Sequence, residues 1–308
     1  MSDPINNAGT RSGFIAVVGA PNVGKSTLIN HVVGTKVSIV SPKVQTTRTR
    51  VLGICMTGEG DNKAQVIFID TPGIFEPRRR LDRAMVHAAW SGAGDADHVL
   101  LLVDAERGMD KNTRAIIERL TKTQRTVVLA INKIDLVNKP DLLGLTAKLQ
   151  DTGVFSELFM ISAEKGDGVA ELLDHLAGLL PEGPLLFPED QITDMPERHL
   201  AAEVTREQLY RKLHQELPYA ATVETESWED KKDGSIRIGQ VVFVERDTQK
   251  AIVLGKGGHQ IKAIGAAARA ELETMFGAKV HLFIFVKVRE KWGDDPDRYR
   301  DWDLDFNA

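Results

Sequence analysis

Residues 19–26 read Gly-Ala-Pro-Asn-Val-Gly-Lys-Ser, a glycine-bounded loop that closes on a lysine and a hydroxyl. Glycine at both ends lets the chain wrap tightly, so that backbone N–H groups turn inward toward phosphate oxygens. An apolar run at 14–19 precedes the loop and a helical pattern follows it, and the N-terminal end of that helix adds partial positive charge. Lys25 is placed to reach the outer phosphates and the Ser26 hydroxyl to ligate magnesium. Gly19, Ala20, Pro21, Asn22, Val23, Gly24, Lys25, Ser26 and Thr27 are therefore assigned to a nucleotide's phosphates. A plain glycine turn beside a surface lysine is the alternative, and the strand–loop–helix setting argues against it.

The base is read further along. Asn132, Lys133, Ile134 and Asp135 directly follow the apolar stretch 126–131. A carboxylate there accepts two hydrogen bonds from the N1–H and exocyclic amine of guanine. Adenine has neither donor and would leave the carboxylate unpaired. The Lys133 stem can cover the base while its amine reaches the phosphate loop. Ser162 and Ala163, closing the last strand, can offer a backbone N–H to the guanine carbonyl. Asp70, Thr71, Pro72, Gly73 and Ile74 end another apolar run. The Asp70 carboxylate would hold the metal through water, and the Gly73 N–H would meet a γ-phosphate that exists only in the triphosphate state. Between these motifs lies Gln45-Thr46-Thr47-Arg48, one of whose threonines completes the magnesium shell, Thr47 in preference to Thr46. Ser26, Thr47 and Asp70 form the expected metal set, and Lys25, Thr47 and Gly73 are expected to act in catalysis. Arg48, Arg50 and the run 78–80 are expected to be solvated or partner-facing.

Positioning these residues requires strands that end at one edge. β-branched runs at 14–19, 50–57, 65–70, 98–104, 126–131 and 158–162 alternate with amphipathic stretches, such as 112–120 and 168–180. That order predicts an α/β fold whose mostly parallel sheet carries helices on both faces. Turn residues at 57–62 predict one antiparallel hairpin. In such sheets ligands sit at the carboxyl ends of the strands, where each motif falls. Periodicity stops among four prolines between 181 and 196. A second segment follows in the order α-β-β-α-α-β, with a helix at 199–217, extended runs at 221–228 and 235–245, a helix to about 276 and a strand at 280–288. The expected organisation is a disordered N-terminus 1–12, a first domain 13–181, a linker 182–198, a second domain 199–290 and a C-terminal tail 291–308. Composition sets limits on the rest. The 308 residues carry a net charge of −5 and one cysteine, Cys55, inside an apolar stretch. Any nucleic-acid footprint must be local, disulfides and CxxC metal sites are excluded, and a buried Cys55 is expected. Neither a secretory signal nor an apolar run of the ~18 residues needed to span a membrane is present, which points to the cytoplasm.

Together the motifs resemble the translation-factor-related class of small GTPases. Many such switches place a water-orienting glutamine where this chain has Ile74, so the resemblance implies slow intrinsic turnover. Related GTPases with an asparagine in the phosphate loop use it to bind potassium, which gives Asn22 an expected catalytic part. In the second segment Gly255, Lys256, Gly257 and Gly258, followed by His259 and Lys262, resemble the GxxG loop of a type II KH domain, which clamps single-stranded RNA. Lys250, Arg269, Lys279, Lys287 and Arg289 make this window basic. A GTPase with Asn22 and Ile74 joined to such a domain resembles the Era family of bacterial ribosome-assembly GTPases over nearly the whole chain. The family implies GTP or GDP with Mg2+, possible K+ stimulation, recognition of the 3′ end of 16S rRNA, and a role in 30S small-subunit assembly. It also implies peripheral association with the inner membrane, and a monomer is expected. The rival reading is a membrane-associated cell-cycle GTPase whose second domain binds a protein.

Overall fold

A computed structural model describes residues 9–41, 43, 47–123, 125–213 and 217–308. Gln45 and Thr46 of the expected switch stretch lie outside the described residues. The chain divides into two compact units, one running to Ser38 and resuming as Thr47–Asp194 and Trp302–Ala308, the other formed by Ile39–Thr46 and Met195–Asp301.

The first unit runs β1 (Arg11–Gly19), α1 (Lys25–Val33), β2 (Val51–Thr57), β3 (Ala64–Asp70), α2 (Arg80–Asp95), β4 (His98–Asp104), α3 (Lys111–Thr121), β5 (Val127–Asn132), α4 (Lys139–Gln150), β6 (Phe155–Ile161) and α5 (Val169–Leu179). One six-stranded sheet has the order β2-β3-β1-β4-β5-β6. Only β2 is antiparallel, paired with β3 through Ile54 and Ile67 as the hairpin turn residues require. Consecutive residues of β4, Val99 to Val103, are all at most 1% exposed, so both faces of the strand are covered. This explains why these strands read as unbroken apolar runs and not as alternating ones. Because β1, β3, β4, β5 and β6 are parallel, Gly19, Asp70, Asp104, Asn132 and Ser162 all emerge at one edge.

Two boundaries differ from expectation. β1 opens at Arg11, inside the stretch expected to be disordered, because Arg11 pairs with Ala64 and its guanidinium donates to the Leu180 carbonyl at 2.6 Å. The C-terminal stretch is not one tail. Trp302–Ala308 joins the first unit, where the Arg80 guanidinium lies 4.3 Å from the centre of the Phe306 ring.

The second unit runs α6 (Glu197–Lys212), β7 (Ala221–Asp230), β8 (Ile236–Val244), α7 (Asp247–Leu254), α8 (His259–Phe276), β9 (Val280–Val288) and α9 (Pro296–Asp301). Its sheet has the order β7-β8-β9, antiparallel between β7 and β8 and parallel between β8 and β9. Here alternation returns. Val280 and Val286 are buried, whereas Phe283 and Phe285 are exposed, so one face carries the helices and the other faces out. Helix α6 stops before the expected 217 because Leu213 is extended, at φ −98 and ψ 152.

Candidate functional site

Four hydroxyl and carboxyl groups converge behind the phosphate loop. Asp70 is fully buried, and its Oδ2 accepts from Ser38 Oγ at 2.6 Å, Ser26 Oγ at 2.8 Å and Thr47 Oγ1 at 3.2 Å. Its Oδ1 is buried with no hydrogen-bond partner among the described residues. Burial raises the Asp70 pKa, opposed by the Ser38 hydroxyl, the Lys25 ammonium and the other two hydroxyls. An orphaned carboxylate oxygen beside two hydroxyls is a donor set suited to a hard, oxygen-seeking cation. The three residues expected to serve magnesium are thus brought together, and Ser38, which sequence reasoning missed, joins them. Burial also pulls the Lys25 ammonium down to about 8, against the attraction of Asp70. Its Nζ caps the Gly19 and Ala20 carbonyls at 3.2 Å each, inside the loop it is expected to serve.

Gly73 meets the same loop closely. A Cβ on it would stand 2.9 Å from Pro21 Cα, so only glycine lets the chain after β3 pass here. The neighbouring Ile74 N–H donates to the Gly19 carbonyl at 3.0 Å, and the Ile74 side chain is buried. Thr71 is buried too, with its hydroxyl on the Val17 carbonyl at 2.7 Å.

At the end of β5 the side chains of Asn132 and Lys133 turn back to the phosphate loop. Asn132 Nδ2 donates to the Val23 carbonyl at 2.8 Å, and Lys133 Nζ donates to the Asn22 carbonyl at 2.8 Å. Lys133 does this at a positive φ of 66°, as Asn22 does at 64°. Asp135 lies beside the Ser162 hydroxyl, which lowers its pKa, and 3.3 Å from Lys165 Nζ. It is therefore an ionised acceptor. One expected donor is differently employed. The Ala163 N–H donates to Asn132 Oδ1 at 2.9 Å, which ties the 162–163 turn to β5.

Two residues absent from the sequence reading complete this edge. Asp104, ending β4, pairs with Lys133 Nζ at 2.7 Å, and Arg107 donates to the Pro21 carbonyl at 3.1 Å. Arg48, expected to be solvated or partner-facing, is instead buried, at 3% exposed. Cys55 is buried, and burial pushes its thiol up to about 12, so it is no nucleophile.

In the second unit, Gly255, Gly257 and Gly258 all have positive φ, at 69°, 60° and 75°. The loop opens the 18-residue helix α8, so its amides sit at a positive helix end. A Cβ at Gly257 or Gly258 would meet nothing within 4 Å among the described residues, which leaves the backbone open to approach, and Lys256, His259 and Lys262 are exposed around it. Lys287 does not belong to this footprint. It alternates with the core residue Val286 and pairs with Glu226 at 2.8 Å on the outer face of the sheet, and Arg289 pairs with Asp295 at 2.6 Å.

Comparison with known proteins accounts for both units. The family model for the 50S ribosome-binding GTPase matches residues 14–133, and that for the KH domain matches 216–293. GTPase Era of Rhizobium meliloti is 59% identical over 96% of this chain and 94% of its own. GTPase Era of Bradyrhizobium diazoefficiens is 57% identical over 97% of this chain and 96% of its own. Among solved structures, an Aquifex aeolicus Era variant bound to GDP and AlF4− has a TM-score of 0.89 at 38% identity, covering 95% of this chain and 98% of that one. Era in complex with MgGDPNP and nucleotides 1506–1542 of 16S ribosomal RNA has a TM-score of 0.89 at 39% identity, with the same coverage. Matching these relatives nearly end to end, with a GTPase family model over its first unit and a KH model over its second, the chain belongs to the GTPase Era family as a P-loop GTPase carrying a C-terminal KH domain.

Proposed function

We propose that this GTPase is a switch that binds the 3′ end of 16S rRNA and acts in maturation of the 30S subunit. The observation that carries the RNA reading is the Gly255–Gly258 loop, whose positive-φ glycines present open backbone at the start of α8. That arrangement suits phosphates of a single strand, held by Lys256 and flanked by His259 and Lys262. The relative solved with 16S nucleotides supports the choice of RNA.

In the first unit, residues 19–27 cradle the phosphates, with Lys25 on the outer ones, and Asn132 to Asp135 select guanine. Ser26, Thr47 and, through water, Asp70 would hold Mg2+, which would supply charge neutralisation to the outer phosphates. The Gly73 N–H and Thr47 sense the γ-phosphate. Ile74 offers no group to orient water, so turnover is slow. Asn22, turned to φ 64°, is the residue for a K+ ion that compensates. Turnover several-fold faster in KCl than in NaCl at equal ionic strength is expected, and equal rates would remove K+ from the scheme. The reading also places the protein in the cytoplasm as a monomer, with peripheral contact at the inner membrane. No helix among the described residues is long and apolar enough to cross a membrane.

The test is anisotropy with a labelled 16S 3′-end RNA, at two salt concentrations, in a non-hydrolysable GTP analogue and in GDP. Binding is expected to be tighter with the analogue, to weaken with salt, and to fall when Lys256 is replaced by alanine. Binding indifferent to both salt and Lys256→Ala would favour the rival reading, in which the second unit grips a protein.

A further inference from the structure

Three consecutive carbonyls of the phosphate loop are each held from outside by a different side chain. Arg107 Nη1 donates to Pro21 O at 3.1 Å, Lys133 Nζ to Asn22 O at 2.8 Å and Asn132 Nδ2 to Val23 O at 2.8 Å. In a trans peptide the C=O and the following N–H point in opposite directions. Pinning these three carbonyls outward therefore aims the N–H groups of Asn22, Val23 and Gly24 the other way, into the loop. Asn132 and Lys133 belong to the guanine-reading segment, but the remaining grip comes from Arg107, in the turn that follows β4.

One carboxylate organises two of the three donors. Asp104 is 2% exposed, receives the Glu106 N–H on Oδ1 at 2.9 Å, and turns Oδ2 to Lys133 Nζ at 2.7 Å and Arg107 Nε at 3.8 Å. It thus orients two cations that grip adjacent carbonyls. We propose that Asp104 and Arg107 are positioning residues for GTP. They fix the peptide planes at residues 21–23, so that the amides facing the phosphates are aligned before nucleotide arrives. The gain is preorganisation. Dipoles already aimed at a charge need no rearrangement when it binds. Arg107 grips only the loop, so its effect is confined to phosphate, whereas Asp104 also orients Lys133, whose stem is assigned to the base. The inference rests on the assignment of residues 19–27 to phosphate binding.

The experiment measures GDP, GTP and GMP affinities of nucleotide-free, full-length protein, using a fluorescent GDP analogue and competition. Arg107→Ala removes one clamp from a side chain that is 47% exposed, and Asp104→Asn keeps the shape while removing the charge that orients both cations. Each variant is expected to lose roughly tenfold in GDP and GTP affinity, Arg107→Ala with GMP affinity unchanged, because a charge-assisted hydrogen bond to the loop is lost in Arg107→Ala and two are left unoriented in Asp104→Asn. Arg107→Lys, which keeps a cation near the Pro21 carbonyl, should recover most of the loss. GDP affinity within about twofold of wild type, or an equal loss for GMP in Arg107→Ala, overturns the proposal, the second being the mark of general destabilisation. Should Asp104→Asn not fold, Arg107→Ala decides alone. Lys25→Ala is the control for the underlying assignment. If it leaves GDP affinity intact the phosphate assignment itself has failed, whereas a disabled Lys25→Ala beside an unaffected Arg107→Ala sinks only the positioning role.

Discussion

Asn132 Nδ2 lies 2.2 Å from where a Cβ on Gly24 would stand, far closer than any Cβ tolerates. Gly24 also has a φ of 100°, which side-chain-bearing residues rarely adopt. Gly24→Ala must therefore push away the amide that holds the Val23 carbonyl and strain the backbone as well. We expect roughly a 100-fold loss of GDP affinity, read by fluorescent-nucleotide titration. Gly34→Ala is the matched control. Its φ of 79° is comparably unfavourable, but a Cβ there meets nothing within 4 Å among the described residues, so it should cost about 1 kcal/mol of stability and no nucleotide affinity.

Purine choice should follow the charge at position 135. The Ser162 hydroxyl keeps the Asp135 carboxylate below its ordinary pKa, so at neutral pH it offers only acceptors. Asp135→Asn replaces one acceptor with a donor that faces the guanine amine. GTP affinity should fall roughly 100-fold, and the affinity for xanthosine triphosphate, which carries a carbonyl at that position, should rise. Unchanged GTP affinity in a competition titration would contradict the assignment of the base site.

How far such residues could be read in advance depended on how local their signals were. The phosphate loop, Asp70 to Ile74 and Asn132 to Asp135 each announce themselves by glycine or acid placement at the end of an apolar run, and the fold puts those ends at one edge. Asp104 carried the same signal, an acid closing the apolar run of β4, without a surrounding motif to single it out. Ser38 and Arg107 carried none, because their roles arise only when the fold brings them to Asp70 and Pro21. Helix α6 was overextended since Leu213 and Leu217 continue its apolar pattern, while the chain is already extended at Leu213. Acidic composition after residue 290 suggested a tail and hid Trp292, which is 2% exposed.

Cys55 gives a dependence on pH. Burial raises its thiol from 9.0 to about 12. An acid with a raised folded pKa contributes full stability below its unfolded pKa and loses it as pH climbs toward the folded value. The window is therefore pH 9 to 12, and at pH 10 the loss is about 1 kcal/mol. Urea midpoints of wild type and Cys55→Ala at pH 8 and pH 10 test this. Wild type should lose the additional stability, and parallel losses in the two proteins would refute it. In native buffer at pH 8 the thiol should react with disulfide reagents only as the unit opens.

Trp292 anchors the stretch beyond β9 to the second unit. Its indole Nε1–H donates to the Ala220 carbonyl at 2.9 Å, and the Arg298 guanidinium stands 5.5 Å from its ring centre. Tyr299 folds its hydroxyl back to the Gly293 carbonyl at 2.7 Å. Trp292→Ala opens a cavity beneath these contacts and should cost about 3–5 kcal/mol. Trp292→Phe keeps most of the packing but leaves Ala220 without its donor, for about 1–3 kcal/mol. Because the described residues assigned to nucleotide all lie in the first unit, GTP affinity should stay within about twofold of wild type in both variants. Thermal unfolding followed by tryptophan-independent circular dichroism, with and without GDP, separates the two units. An unshifted transition for Trp292→Ala would mean that residues 291–301 do not stabilise the second unit, whatever their burial.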